Sequence, residues 1–403
     1  MEVVSQFSFS RTSLLTQEEM FEISAVKRNV SIGILKEIDP NEKCMALTPQ
    51  AVELLVQKGN RVLYEQNAAA SIHFSNEDYA AAGAEIFASS KEIFEADVLV
   101  KVSQLTDEEI DLLHDNQIVI SSFLINNYAK QQLQKLQQKK IIAIAYEYIY
   151  DSENHYPFVH SMNEIAGTMS ILVAAEYLSN SGQAKGVLLG GITGITPAEV
   201  VILGANTAGE CAARAALGLG AQVKIFDASH TRLANIQNVL GQRLFTSNYH
   251  PSVLKKSLHS ADVIIGATHQ NNNETPIIIS EELVQGMKKG SILVDLAIGQ
   301  GGCFETSHTT THAQPTFTKH GVVHYCVPNI NSRVARTSSI ALSNGVVPIL
   351  LNINEMGGIK NYIKHDYKIR QGVYMFNGIV TNSFIAHKLN IPFKHIDLLI
   401  AAL

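Results

Sequence analysis

The stretch VVILGANTAGECAARAALGLGAQVKIFD, residues 200–227, decides the fold of this chain. An apolar run leads into a glycine-containing turn, a helix of small residues follows, and a second apolar run ends in Asp227. Gly204 permits a tight turn, and Gly209 lets the helix pack closely against the first strand. This order predicts a βαβ unit that binds a dinucleotide at the start of its helix.

The same unit predicts how the dinucleotide is held. Free N–H groups at the helix start, from Thr207 and Ala208, face the pyrophosphate. Asp227 accepts hydrogen bonds from a ribose, which favours NAD over NADP. Asn206 replaces the second glycine, so the motif reads G-x-N-x-x-G. Its side chain is expected to crowd the pyrophosphate and weaken NAD binding, although asparagine tolerates the left-handed backbone that such turns use.

Composition limits the classes of protein to which the chain can belong. With 403 residues, 46% hydrophobic and 17% charged, the sequence predicts a globular protein of two or three domains. The net charge of −6 argues against a general nucleic-acid binder. The four cysteines lack C-x-x-C spacing, so no disulfide framework is expected. Without a signal peptide or a long apolar helix (the predicted helix at 165–178 is too short), we expect a cytoplasmic protein with no membrane partner.

Strand-like and helix-like segments alternate from residue 31 onward. The apolar runs lack strict alternation, which is typical of parallel strands covered on both faces. The predicted fold is therefore α/β, with two Rossmann-like, doubly wound parallel-sheet domains separated by a cleft. The predicted units are an arm at 1–30 with a short helix at 17–26, a substrate domain at 31–160 plus 336–403, and an NAD domain at 161–335.

Three helices are predicted with particular features. Thr48 should cap the first helix of the substrate domain. Long helices should begin near Asn163 and Arg336, and Pro348 should kink the second of them.

Several segments together resemble one family. They are KEIDPNEKCMALTPQAV, NEIAG, GGITGITP, GANTAGECAAR, GQGGCFETS and HYCVPNINSRVARTSS. From about Ile32 to the C-terminus, their order is similar to that of the alanine dehydrogenase family, which shares its fold with the NAD(P)-binding subunit of proton-translocating transhydrogenase. The resemblance implies NAD-dependent oxidative deamination of L-alanine to pyruvate and ammonia, and commonly a homohexamer. It adds Asn163, Ala267 and Ile298 to the cofactor site, and Asn163 replaces the family's serine.

The resemblance also identifies positions where reacting groups of the family are replaced. In the family, the arginine of E-x-R-x-A-x-T-P binds the substrate carboxylate, and Cys44 stands there in this chain. Where the family has the second lysine of K-V-K, this chain has Ser103. Where the family has a histidine after a phenylalanine–leucine pair, this chain has Ile125. Where the family has the aspartate of A-I-D-Q-G-G, this chain has Gly299. The asparagine after Cys-Val is kept as Asn329, which the resemblance implies to be a substrate or nicotinamide contact.

Two residues are candidates to replace the lost groups. Lys101 lies two positions before Ser103 on a predicted strand, so both side chains should leave the same face. It either supplies the missing cation or has a structural role, which is the favoured interpretation. Asp295 ends a buried strand and is either a proton-transfer group or, as favoured, an acceptor for loop N–H groups.

The other reactive side chains are predicted to be inert. Lys43 should point away from the Cys44 side of an extended segment. The thiol of Cys44 has no obvious partner that would activate it. His324 and Cys326 alternate on one strand, but two ligands do not make a metal site, and no metal is predicted.

Two explanations account for these replacements. The favoured one is an alanine dehydrogenase-like oxidoreductase whose activity is weak, altered or lost. A related alternative is an enzyme for a different small amino or 2-oxo acid. The other explanation is a catalytically inactive NAD-binding or structural subunit, in mixed oligomers with an active paralogue.

Overall fold

The computed structural model describes residues 29–123, 130–151, 153, 155–179, 184–268 and 279–401. The predicted helix at 17–26 and the family position at Ile125 lie outside the described residues. The described chain forms two sheets with helices packed on their faces.

Eight strands of the described chain form the first sheet, and most of them are parallel. They are β1 (Ser31–Ile34), β2 (Arg61–Glu65), β3 (Glu85–Phe87), β4 (Val98–Val100), β5 (Ile118–Ser121), β6 (Ile142–Ala145), β14 (Val373–Phe376) and β15 (Ile379–Val380). Their spatial order is β15-β14-β6-β5-β4-β1-β2-β3. Because β14 pairs antiparallel with β6 and with β15, one edge of the sheet is mixed and comes from the C-terminal part of the chain.

The second sheet contains seven strands of the described chain. They are β7 (Glu199–Leu203), β8 (Gln222–Phe226), β9 (Phe245–Ser247), β10 (Val263–Gly266), β11 (Ile292–Asp295), β12 (Thr316–Lys319) and β13 (Val322–Tyr325). Their order is β12-β13-β11-β10-β7-β8-β9, and only the edge strand β12 runs antiparallel to its neighbour. Every residue of the central strands β10 and β11 is buried, as expected for parallel strands covered on both faces.

The helices cover both sheets. They are α1 (Pro49–Gln57), α2 (Asn76–Ala81), α3 (Ser90–Ile93), α4 (Asp107–Leu112), α5 (Lys130–Gln138), α6 (Pro157–Leu178), α7 (Thr207–Gly218), α8 (His230–Leu240), α9 (Pro251–Ser260), α10 (Glu281–Gln285), α11 (Ala335–Glu355), α12 (Ile359–His365), α13 (Tyr367–Gly372), α14 (Ser383–Leu389) and α15 (Ile396–Ile400).

Two predictions about helix starts need correction. Helix α6 begins at Pro157, well before Asn163, because proline is favoured in the first helical turn, where its missing N–H costs nothing. Thr48 does occupy the cap position of α1, but its side chain makes no capping hydrogen bond. Its hydroxyl lies instead 3.4 Å from the hydroxyl of Ser343 on α11. Helix α11 continues through Pro348.

Helix α6 joins the two halves of the molecule. Phe158, in its first turn, belongs to the hydrophobic core of the first sheet, whereas Ile171 belongs to the core of the second. Gly167 faces α7 so closely that an added Cβ would clash with the carbonyl of Ala208. Near its start, α6 meets α11, where a Cβ on Gly345 would lie 2.5 Å from the Phe158 ring.

One helix of the described chain, over Ile330–Glu355, is long and apolar enough to cross a membrane. Half of its most apolar window is buried inside the protein. Its buried residues Leu350 and Ile353 pack in the core of the first sheet. This is the pattern of a core helix.

Candidate functional site

The turn between β7 and α7 has a geometry that requires two glycines. Gly204 has φ +111°, in the region that L side chains rarely adopt, and an added Cβ would lie 2.5 Å from the carbonyl oxygen of Ala267. A Cβ on Gly209 would clash with the carbonyl of Gly204. The start of α7 is therefore held tightly against the ends of β7 and β10.

Asn206 differs from the sequence-based expectation. Its φ of −89° and ψ of −174° are extended, so the left-handed conformation that asparagine tolerates is not used. The side chain caps α7: Oδ1 accepts a hydrogen bond from the N–H of Gly209 at 3.0 Å. Its Nδ2 donates to the carbonyl of Ala267 at 2.6 Å. One N–H group at the helix start is thus already bonded within the protein.

Asp227 is buried and also has partners within the protein. Its oxygens accept hydrogen bonds from the N–H of Ala205 at 2.8 Å and the N–H of Ser229 at 2.7 Å. The guanidinium of Arg232 lies 2.9 Å from Oδ1. A ribose hydroxyl would therefore share this carboxylate with Arg232.

The other predicted cofactor residues surround the same helix start. The Thr207 hydroxyl lies 3.3 Å from Nδ1 of His160 on α6. Ala208 contacts α6 at Gly167, and Asn163 lies on α6, partly buried. Ile298 is buried in a short 3₁₀ helix, Ile298–Gln300, beyond the end of β11.

These residues fit a dinucleotide. Gly204 and Gly209 let the start of α7 pack tightly against the strand ends. The first N–H groups of α7, on Thr207 and Ala208, precede the first intrahelical hydrogen bonds and can face a pyrophosphate. Asp227 stands at the end of the neighbouring strand β8, where a ribose would lie. The N–H of Gly209 becomes available only if the Asn206 cap opens.

Lys101 and Ser103 lie beyond the carboxyl end of β4, which stops at Val100. The pairing with β5 continues past that bound, since the N–H of Lys101 donates to the carbonyl of Ile120 at 3.1 Å and the N–H of Ser122 donates to that of Val102 at 3.2 Å. That Lys101 and Ser103 share one strand face stays a prediction, and their side chains bind different carboxylates. Nζ of Lys101 lies 2.7 and 2.8 Å from the two carboxylate oxygens of Glu109. Both side chains are buried, so Lys101 is held in a structural ion pair.

Ser103 instead binds Glu37, which follows β1. The Ser103 hydroxyl donates to Glu37 Oε2 in a short hydrogen bond, and the N–H of Val102 donates to Oε1 at 2.7 Å. Burial raises the pKa of Glu37 to about 7, against the opposing effects of the Lys101 charge and the Ser103 hydroxyl.

Cys44 and Asn329 are brought together through Ser332 and Glu42. The Cys44 sulfur lies 3.7 Å from the Ser332 hydroxyl, and its N–H donates to Glu42 Oε1 at 2.8 Å. Asn329 Nδ2 lies 3.2 Å from the same hydroxyl and 3.4 Å from Glu42 Oε2. Burial raises the pKa of the Cys44 thiol far above its usual value, which supports an inert thiol. Lys43 is exposed.

Sequence reasoning missed four residues of this region, which we call the acidic cluster: Glu37, Glu42, Tyr146 and Glu147. The Tyr146 hydroxyl donates to the carbonyl of Val102 at 2.6 Å. Burial and the negative charges of the three glutamates raise the pKa of Tyr146 well above its usual value. A signal was present in the sequence, because Glu37 and Glu147 come shortly after the last residues of β1 and β6, Ile34 and Ala145, at the sheet edge where ligands of parallel folds bind.

Asp295 and Gly299 lie at the end of β11. The buried Asp295 carboxylate accepts hydrogen bonds from the N–H groups of Ala297 at 3.0 Å and Cys303 at 3.2 Å. Burial raises its pKa. These contacts support a loop acceptor role. Gly299 is exposed, and a Cβ there would lie 3.9 Å from the nearest atom, on Pro328, which leaves room for the family's acid.

His324 and Cys326 bind different partners. The His324 ring lies 2.8 Å from the hydroxyl of Thr306 and 3.0 Å from the carbonyl of Val322, and burial lowers its pKa to about 4. The Cys326 sulfur lies 3.6 Å from the Ser307 hydroxyl. Within the described ranges, no three histidine, cysteine or acidic side chains are grouped as metal ligands.

Known proteins match the chain over most of its length. The alanine dehydrogenase/PNT N-terminal domain matches residues 33–166, and the C-terminal domain of the same name matches 170–383. Alanine dehydrogenase of Methanococcus maripaludis is 39% identical over 365 residues, 90% of this chain and 97% of the relative. Alanine dehydrogenase 2 of Staphylococcus aureus is 36% identical over 369 residues, 91% of this chain and 99% of the relative.

Solved structures agree with these matches. An L-alanine dehydrogenase superposes with a TM-score of 0.84 at 34% identity, over 89% of this chain and 98% of that protein. A transhydrogenase from Sinorhizobium meliloti shares the fold, with a TM-score of 0.73 at 21% identity, over 88% and 99% of the two chains. The family expected from the sequence is thus confirmed. The chain belongs to the alanine dehydrogenase/PNT family and has that family's NAD-binding, Rossmann-type fold.

Proposed function

We propose that this chain is an NAD-binding oxidoreductase of its family that has lost most of its turnover of L-alanine. The observation that carries the proposal is the ion pair of Lys101 with Glu109, at 2.7 Å. Two positions that hold cations in the family are occupied here by the uncharged residues Cys44 and Ser103. Lys101 is already paired with the carboxylate of Glu109. A substrate carboxylate would therefore lack its usual charged hydrogen bonds, worth about 1.5–3 kcal/mol each.

Proton transfer is weakened by the same replacements. The family's histidine position is Ile125 and its acid position is Gly299. Removal of one general acid or base typically slows a reaction by about 10²–10⁴. These effects act on one reaction and do not simply add, but together they leave little alanine turnover.

NAD binding is weaker than in a chain with the complete glycine motif. The pyrophosphate competes with the Asn206 side chain for the N–H of Gly209. Opening this cap also breaks the bond from Asn206 Nδ2 to Ala267.

The domain assignment follows the sheets. We assign 31–160 plus 336–403 to substrate binding because β14 extends the first sheet at β6. We assign 161–335 to NAD, and 1–30 to an arm. The proposed location is the cytoplasm, and the proposed substrate class is a small amino or 2-oxo acid.

A homo-oligomer, a hexamer by family resemblance, is the proposed assembly. An apolar surface supports it: the side chains of Leu188, Ile192 and Ile195 are 66%, 62% and 62% exposed. Ile192 and Ile195 pair across a tight turn, and Leu188 lines the same groove as the exposed Leu219. Exposed apolar groups of this kind mark protein contacts.

An alanine assay tests the proposal. Purified protein, saturated with NAD at alkaline pH, should show negligible alanine-dependent NAD reduction, and readily measurable steady-state turnover would refute the proposal. The combined variant Cys44→Arg, Ser103→Lys, Gly299→Asp and Asn206→Gly should recover some activity. A well-folded combined variant without activity would show that the cleft differs elsewhere, as in a purely structural subunit.

A further inference from the structure

The carboxylate of Asp227 already accepts hydrogen bonds from the protein itself. The N–H groups of Ala205 and Ser229 donate to its two oxygens at 2.8 and 2.7 Å. Arg232 adds its Nε, which lies 3.0 and 3.1 Å from Oδ1 and Oδ2, and its Nη2, which lies 2.9 Å from Oδ1. These four N–H groups match the roughly four lone-pair sites of a carboxylate. The ribose hydroxyls of NAD must therefore displace one of these donors before they can bind to Asp227.

The charge of Asp227 is opposed by the same arginine. An acid at the end of this strand selects NAD because its carboxylate accepts a bond from the ribose 2′-hydroxyl and repels a 2′-phosphate. Here Asp227 is buried and forms an ion pair with Arg232 at 2.9 Å. The hydrogen-bonding part of the selection is weakened by competition, and the repulsive part is opposed by the guanidinium.

Arg232 is placed where it can meet a phosphate on the ribose. It lies in the first turn of α8, shortly after the end of β8, and its side chain is 47% exposed. A guanidinium has five N–H groups, so it can hold a carboxylate on one side and a phosphate on the other. In dinucleotide-binding folds, an arginine near the ribose is the residue that accommodates a 2′-phosphate.

The segment that follows Asp227 favours an anion by its composition. Over residues 228–261 the sequence contains no aspartate or glutamate. The same segment contains four lysines and arginines, which are Arg232, Arg243, Lys255 and Lys256. This part of the NAD domain therefore adds positive charge and no further repulsion of a phosphate.

We propose that Arg232 lets the dinucleotide site accept the 2′-phosphate of NADP(H) in addition to NAD(H). The guanidinium would bridge the Asp227 carboxylate and the 2′-phosphate, while Ala205 and Ser229 keep their bonds to Asp227. The ligand class is an adenine dinucleotide phosphorylated on the ribose 2′-oxygen. The inference rests on the NAD-binding part of the proposed function and not on the loss of alanine turnover.

Titration calorimetry of the full chain at pH 7.5 tests the proposal by comparing NADH with NADPH. Both ligands carry the same pyrophosphate, so the Asn206 cap affects both affinities alike and their ratio reports on the 2′-position. We expect NADPH to bind with a dissociation constant within about tenfold of that of NADH, because charged hydrogen bonds from Arg232 offset the repulsion by Asp227. Weaker NADPH binding than this limit, or none, would overturn the inference.

The variant Arg232→Leu identifies the group responsible. It should weaken NADPH binding by about tenfold or more, because charged hydrogen bonds to the phosphate are lost. NADH binding should be unchanged or tighter, because Asp227 regains acceptor sites for the ribose. A merely structural role of Arg232 would instead weaken both ligands equally, and that result would contradict the inference.

Two further variants control the comparison. Arg214→Leu removes another exposed arginine of the same domain, paired with Glu210 on α7 at 2.7 Å, and should leave the ratio of the two affinities unchanged. A shift as large as that of Arg232→Leu would count against the inference. Arg232→Lys keeps a positive charge opposite Asp227 if the leucine variant fails to fold. Its single ammonium lacks the paired N–H groups, so NADPH should weaken relative to NADH, and an unchanged ratio would refute the role of Arg232.

Failure of this inference can be told apart from failure of the proposed function. Native protein that turns over alanine refutes the proposed loss of turnover, whichever dinucleotide it binds. Native protein that binds NADH but not NADPH refutes only the role of Arg232. Native protein that binds neither dinucleotide refutes this role together with the NAD-binding part of the proposed function.

Discussion

Replacing Glu37 by glutamine should change how the stability of this protein depends on pH. The carboxyl of Glu37 accepts hydrogen bonds from the N–H of Val102 and the hydroxyl of Ser103. Glutamine keeps one acceptor oxygen of similar reach and removes the charge. The substitution therefore isolates the cost of holding a negative charge in the acidic cluster.

The magnitude follows from the pKa of Glu37, which is raised from 4.5 to about 7 on folding. The folded protein holds the Glu37 proton more tightly than the unfolded chain does, so Glu37 lowers the free energy of unfolding as the pH rises from about 4.5 to 7. Above that window the full penalty, at most about 3 kcal/mol, applies. At pH 5 it is still under about 1 kcal/mol.

Urea unfolding at pH 5 and pH 8.5, followed by circular dichroism, measures this difference. Glu37→Gln should stabilise the protein by up to about 3 kcal/mol at pH 8.5 and by less than about 1 kcal/mol at pH 5. Glu108→Gln, on the exposed face of α4, serves as the control and should show no such difference. Equal effects of Glu37→Gln at the two pH values would refute the reasoning.

Three further changes test other parts of the structure. Asn206→Gly should tighten NADH binding about tenfold in calorimetry, because the N–H of Gly209 is released. Loss of the helix cap should cost only a few tenths of a kcal/mol of stability. Unchanged affinity would contradict competition between the Asn206 side chain and the pyrophosphate for that N–H. Lys101→Met should destabilise the protein by about 3–5 kcal/mol in urea unfolding, since Glu109 would be left buried and unpaired. The double variant Lys101→Met with Glu109→Leu should recover much of that lost stability, and no recovery would argue against the ion pair as the cause. Ile192→Glu should lower the oligomer mass in light scattering because it charges an exposed apolar surface, and an unchanged mass would exclude that surface as an interface.

The nucleotide-binding turn was predictable because its signals are local. Gly204, Gly209 and Asp227 lie within one βαβ unit, and each residue type follows from a steric or hydrogen-bonding need of that unit. The role of Asn206 was not predictable from the same stretch. Its second bond goes to Ala267 at the end of β10, and sequence spacing does not reveal that contact.

The candidate site was predicted at its family positions but not in its charge balance. The segment TDEE signals a capped helix, and Glu109 does fulfil that role with Thr106. Its carboxylate also binds Lys101, which depends on how α4 packs beside the end of β4. The acidic residues after β1 and β6 likewise act on the same Tyr146 hydroxyl only because those strands lie in one sheet.

Helix α6 has a mechanical consequence. One continuous helix packs in both hydrophobic cores, through Phe158 in the first and Ile171 in the second. The two sheets are therefore joined by a rigid helix and not by a flexible linker. A change in the distance between the two sheets would tilt α6 against α11 where Phe158 packs on Gly345. Because Gly345 has no side chain, the Phe158 ring can move past α11 at this contact. A methyl group on residue 345 would clash with the ring and restrict that movement.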